Sequence, residues 1–93
     1  MPTIDFNKKL TAADDVLLRE LDGEAVILHL GDESYYGLNE SGTRMWQVLG
    51  DSENIEGAVL PLLEEFEVDE ATLRTDLNNL IQSLLEKKMV VLS

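Results

Sequence analysis

The hydrophobic period of this chain changes at Asn39, and that change points to a sheet followed by helices. Up to Leu38 the apolar residues come in short runs divided by turn residues, and beyond it they recur at helical spacing. The junction is the run Tyr35-Tyr36-Gly37-Leu38-Asn39-Glu40-Ser41-Gly42-Thr43-Arg44-Met45-Trp46. It predicts a short aromatic strand ending at an asparagine cap, because an Asn side chain there accepts a hydrogen bond from an unpaired amide of the first helical turn. A strand that lies beside helices with one edge unpaired is a ready place for an incoming peptide to add.

Before the junction, residues 16–21 and 24–30 flank Asp22-Gly23. Asp-Gly between apolar runs predicts a two-residue hairpin, since a type I′ turn needs positive φ at both central positions. That turn sets Leu21 opposite Glu24, Arg19 opposite Val26 and Leu17 opposite Leu28 on one face. The other face pairs Glu20 with Ala25, Leu18 with Ile27 and Val16 with His29. Both faces are largely apolar, so alternation alone leaves open which one meets the core. A sheet that is greasy on both faces calls for two covers, the second expected from the N-terminal segment Thr3–Phe6 or from another copy of the chain. A further turn at Gly31-Asp32-Glu33-Ser34 leads into the third strand, residues 35–38, expected at a sheet edge.

After the junction, Asn39 is expected to cap a first helix over residues 40–49, with Met45, Trp46 and Leu49 as its apolar stripe and Gly50 as its stop. Asp51 or Ser52 is expected to open a second helix carrying Ile55, Val59, Leu60, Leu63 and Phe66. Pro61 falls inside it, and Gly57 four residues earlier gives the backbone room to kink. Asp69 is expected to cap a third helix over residues 70–88, with Leu73, Leu77, Leu80, Ile81, Leu84 and Leu85 facing the core and Lys87-Lys88 against its C-terminal dipole. Met89-Val90-Val91-Leu92 reads as extended. The expected architecture is a single α+β domain over 1–93, winged-helix-like, with a three-stranded antiparallel sheet followed by three helices. Residues 1–14 form an N-terminal extension in this scheme, 15–38 the sheet, 39–88 the helices and 89–93 a closing extended segment.

Composition narrows the function. Ninety-three residues suffice for one core, and 44% hydrophobic with 28% charged residues is ordinary for a folded chain. With no cysteine there is no disulfide, thiolate nucleophile or sulfur-ligated metal. The first ten residues carry Lys8 and Lys9 without an apolar stretch behind them, so no signal peptide is expected. No apolar run approaches the roughly 20 residues of a membrane span, and the expected compartment is the cytoplasm. The net charge of −12, nineteen acids against seven scattered bases, opposes nucleic-acid binding, which draws its affinity from clustered Lys and Arg. Such charge keeps a small protein soluble and leaves neutral or basic partners open.

Chemistry is sparse. His29 is the only histidine and sits mid-strand, where a half-buried filler is the simpler role than a metal ligand. The pairs Asp14-Asp15 and Glu64-Glu65 lie in an acidic stretch of sequence, where solvated surface is the simpler reading than acid–base catalysis. There is no phosphate-cradling glycine loop and no nucleophile elbow, so neither an enzyme nor a cofactor is expected. Asp51-Ser52 is similar to the site at which acyl-carrier proteins hold phosphopantetheine. Those proteins are all-helical and have an apolar residue where Glu53 stands, so helix capping is the simpler role for Ser52.

The order strand, Asp22-Gly23, strand, then Tyr35-Tyr36-Gly37-Leu38-Asn39-Glu40-x-Gly42-x-x-x-Trp46, then Leu73-x-x-Asp76-Leu77-x-x-Leu80-Ile81-x-x-Leu84 and a closing apolar segment resembles the PqqD-like proteins over residues 15–92. The resemblance implies a non-catalytic recognition element of ribosomally synthesised, post-translationally modified peptide pathways. Such a domain binds the leader of a precursor peptide and presents it to a modifying enzyme, such as a radical-SAM maturase or a leader peptidase. The leader adds to the third strand and lies against the third helix. Carried over, the peptide-binding residues are Tyr35, Tyr36, Gly37 and Leu38 on the strand. On the helix they are Leu73, Asp76, Leu77 and Leu80, with Arg74 as the nearest basic group. Neither nucleic acid nor membrane is an expected partner, and the doubly apolar hairpin is compatible with a homodimer. Pro61 departs from the family's regular second helix. The turn at 31–34 lacks the Pro-Glu-Arg-like sequence of members from pyrroloquinoline quinone pathways, which favours a lasso-peptide or radical-SAM-modified system. The alternative is a winged-helix interaction or regulatory protein that binds no leader.

Overall fold

The structure is a computed structural model and describes residues 4–93. Its elements are β1 (Leu10–Ala12), β2 (Val16–Leu21), β3 (Glu24–His29), β4 (Ser34–Leu38), α1 (Glu40–Asp51), α2 (Glu56–Glu65), α3 (Glu70–Glu86) and β5 (Val90–Leu92). The chain is thus α+β, with a three-stranded antiparallel sheet followed by three helices. Asp22 and Gly23 both take positive φ, 55° and 84°, as a type I′ turn requires. The hairpin register is the one the turn dictates, from Leu21 opposite Glu24 to Val16 opposite His29. β4 pairs with β3 from Ala25–Leu38 to His29–Ser34, so the order is β2-β3-β4 and β4 is an edge.

The face carrying Leu18, Ala25, Ile27, Tyr36 and Leu38 turns to the core. The opposite face, with Leu17, Leu21, Val26 and Tyr35, is exposed. The N-terminal segment expected to cover it goes elsewhere; Thr3 lies outside the described residues. Ile4 and Phe6 pack on the helices instead, and the cause is the start of α2. A helix start leaves amides unpaired, and the carbonyls of Lys8 and Phe6 accept from the Ile55 and Glu56 amides at 2.9 and 2.8 Å. The Ile4 amide then donates to Asn78 Oδ1 on α3 at 2.8 Å.

α1 runs through Gly50 to Asp51, beyond its expected stop. Lys9 Nζ donates to the Gly50 and Ser52 carbonyls at 3.1 and 2.6 Å, satisfying acceptors that the helix end leaves free. Ser52 closes α1 through a bond from its hydroxyl to the Val48 carbonyl (2.7 Å) and does not open α2. The capping side chain near α2 is Asn54, whose Oδ1 accepts the Gly57 amide at 2.8 Å. α2 continues unbroken through Pro61; the acceptor that Pro61 leaves unused belongs to Gly57, in the first turn. α3 ends at Glu86, so Lys87 and Lys88 lie past its last turn. Lys88 takes a left-handed φ of 60°, and the Lys88 and Met89 amides return to the Leu85 and Leu84 carbonyls. That pairing is a Schellman motif with lysine in the position glycine usually holds.

β1, unforeseen from the sequence, pairs antiparallel with β5 from Leu10–Leu92 to Ala12–Val90. Reciprocal bonds between Lys9 and Ser93 extend the ladder. Leu10, Met89 and Val90 thereby join Leu73, Leu77, Ile81 and Leu84 in the core. Among the described residues, no helix is long and apolar enough to cross a membrane.

Candidate functional site

The junction at Asn39 builds one wall of a groove. Asn39 Oδ1 accepts the Gly42 amide at 2.8 Å, and the Thr43 hydroxyl donates to the Leu38 carbonyl at 3.4 Å. The end of β4 is thereby stitched to the first turn of α1. The junction is closely packed at Gly42, where a Cβ would lie 3.3 Å from both Asn39 Oδ1 and Leu38 Cδ2. α3 supplies the facing wall: Asp76, Leu80 and Ser83 stand at i, i+4 and i+7 and share one side of the helix. Between these walls lies an open groove of about 300 Å³, floored by Tyr36, Met45 and Leu80 and bordered by Asp76, Asn79 and Ser83. It adjoins the unpaired edge of β4.

Three of the residues picked from the sequence, Tyr36, Asp76 and Leu80, come together there. Tyr35 and Gly37 sit on the outward face of β4, Tyr35 being 69% exposed, and neither lines the groove. Leu38, Leu73 and Leu77 are core residues, 4%, 0% and 0% exposed, and support the walls from beneath without lining them. Charged substitutions at Leu38 or Leu77, natural probes on sequence grounds, would therefore report on folding and not on binding.

Arg74 lies on the opposite flank of α3, because two residues of helix turn the direction by roughly 200° from Asp76. It stacks over the Phe6 ring at 5.5 Å and pairs with Glu56 (2.9 Å) and Glu70 (2.8 Å). Those partners raise its pKa further, the Glu56 hydrogen bond foremost, and Arg74 in turn holds the Glu56 carboxyl below its ordinary value. A depressed folded-state pKa stabilises above the unfolded value, and that contribution is lost as the pH falls through the folded one. A larger hollow of about 470 Å³ opens on this flank, between Arg74, Asn78 and the N-terminal arm. Among the described residues, no free strand edge borders it. For a peptide docked in the β4–α3 groove, Arg74→Gln is expected to leave the affinity within about twofold, as distant sites do not couple. Titration calorimetry checks this, and a larger loss would place Arg74 in the groove after all.

Sequence reasoning missed Met45, Asn79 and Ser83 as lining residues. Ser83 had a signal, its i+7 spacing from Asp76, whereas Met45 read as plain core. Among the described residues, no three His, Cys, Asp or Glu side chains gather as a metal site.

The family model for coenzyme PQQ synthesis protein D (PqqD) matches residues 24–90. A solved structure of "TbiB1 in Complex with the TbiA(beta) Leader Peptide" is 32% identical, with a TM-score of 0.79, and the match covers 85% of this chain and 92% of that one. Another, "Lasso peptide synthetase B1 complexed with the leader peptide", is 23% identical with a TM-score of 0.80, covering 89% and 98%, and bears on the fold alone. No curated protein matches the chain.

Proposed function

The chain belongs to the PqqD family, and from that premise we infer that it is a leader-peptide-binding adaptor. It holds the leader of a precursor peptide by strand addition to β4 and presents it to a modifying enzyme. The observation that carries this is the unpaired β4 edge beside the groove walled by α3. Main-chain hydrogen bonds along a sheet edge supply affinity, and pockets for alternate side chains supply specificity. The five residues of β4 set the span of the added strand. The 32%-identical structure, which holds a leader peptide, supports the same occupant here. We read the role as non-catalytic, with the modifying enzyme, a radical-SAM maturase or a leader peptidase, acting on the presented peptide.

Titrating isotope-labelled protein with a synthetic leader from its own precursor tests the assignment. Amide shifts are expected at Ser34–Leu38 and Asp76–Ser83, with slowed hydrogen exchange along β4. Shifts confined to the Phe6–Arg74 flank, or none, would refute it.

A further inference from the structure

We propose that the groove reads charge as well as shape: Asp76 selects leaders that place a lysine or arginine two residues from the apolar side chain seated on Leu80. The inference rests on leader binding at this groove and adds the chemical class of leader it accepts.

Among the described residues, Asp76 is the one ionisable carboxylate bordering the groove, and no lysine or arginine borders it. It is exposed and makes no ion pair among the described residues. The cations that might have balanced it are committed elsewhere. Arg44 is bound to Glu65 at 2.8 Å, Arg74 faces the other flank, and Lys9 closes the end of α1. The first turn of α1 also faces the groove, but it offers no anion site. Asn39 already takes the Gly42 amide, and Glu40 offsets the positive end of the helix dipole there.

Spacing then fixes a register. Asp76 and Leu80 are four residues apart on α3, about 6 Å along the axis at 1.5 Å per residue. In an extended peptide, side chains on one face repeat every two residues, about 6.6 Å. For a leader strand laid along α3, an apolar side chain seated on Leu80, Tyr36 and Met45 puts the next same-face side chain beside Asp76. A cation there meets an unpaired carboxylate, and an acid meets a like charge in a groove being emptied of water. The net charge of −12 attracts basic peptides generally but imposes no register, so a fixed two-residue offset distinguishes Asp76 from the bulk field.

The test is a displayed library of random ten-residue peptides selected on the intact protein, on Asp76→Asn and on Asp76→Lys, with circular dichroism confirming that all three fold. The wild type is expected to enrich Lys or Arg two positions from an apolar anchor. Asp76→Asn removes the preference, and Asp76→Lys replaces it with Asp or Glu. In one selected peptide, Lys to Glu at that position should weaken wild-type binding about tenfold and strengthen binding to Asp76→Lys. Binders with no positional charge preference, or with one that survives Asp76→Asn, overturn this inference and leave leader binding standing. Absence of any binder overturns leader binding itself.

Discussion

Leu80→Gln is expected to lower leader affinity tenfold to a hundredfold while the domain stays folded. Leu80 is half-buried, packed partly on the core and open to the groove between Tyr36 and Asp76. A leader side chain seated on it removes its remaining surface from water, which is worth part of the roughly 1.5–3 kcal/mol of a full leucine burial, and glutamine adds the cost of desolvating its amide there. Each 1.4 kcal/mol is about tenfold in affinity. Glutamine keeps the length of the side chain, so the fold loses only the partial packing of one leucine. Calorimetry gives the affinity, and a thermal melt separates binding from unfolding. Unchanged affinity in a folded Leu80→Gln protein would mean that the peptide lies elsewhere.

The opposite pattern is expected one turn away. Leu77→Ala should lower stability by about 2–5 kcal/mol, because the side chain is fully buried and its removal leaves a cavity. A small domain has only about 5–15 kcal/mol in total, and each kcal/mol shifts the melting temperature of a domain this size by about 4–8 °C. A fall of about 10 °C or more is therefore expected. In urea the midpoint should drop with the slope unchanged. The protein that remains folded should bind leader normally. A specific loss of binding without loss of stability would show that Leu77 reaches the peptide.

These two leucines mark how far the sequence was legible. The period of α3 identified its apolar stripe but not which border of the stripe meets β4 and which meets another element. Leu77 and Leu80 belong to one stripe, and only the position of the sheet assigns the first to the core and the second to the groove. For the same reason the period alone did not place Arg74, which lies on the flank of α3 that carries Phe6. Local chemistry was more decisive: Asp22-Gly23 specified its turn, and through the two-residue period of strands it specified the whole β2–β3 register. Ser52 and Asn54 show where local chemistry is ambiguous. Either can cap a helix start, and the choice was made by Lys9, which comes from a distant part of the chain to close α1. β1 was illegible because three residues show no period, and its partner lies about eighty residues away.

That last pairing bears on how the domain assembles. β2, β3 and β4 are neighbours in sequence and need only short loops to close, whereas β1 and β5 must bring opposite ends of the chain together. Closing so long a loop costs more chain entropy, and contacts of large sequence separation slow folding. The sheet with the unpaired β4 edge thus has the means to form first, and the clasp of the termini is the step that completes the core around Leu10, Met89 and Val90.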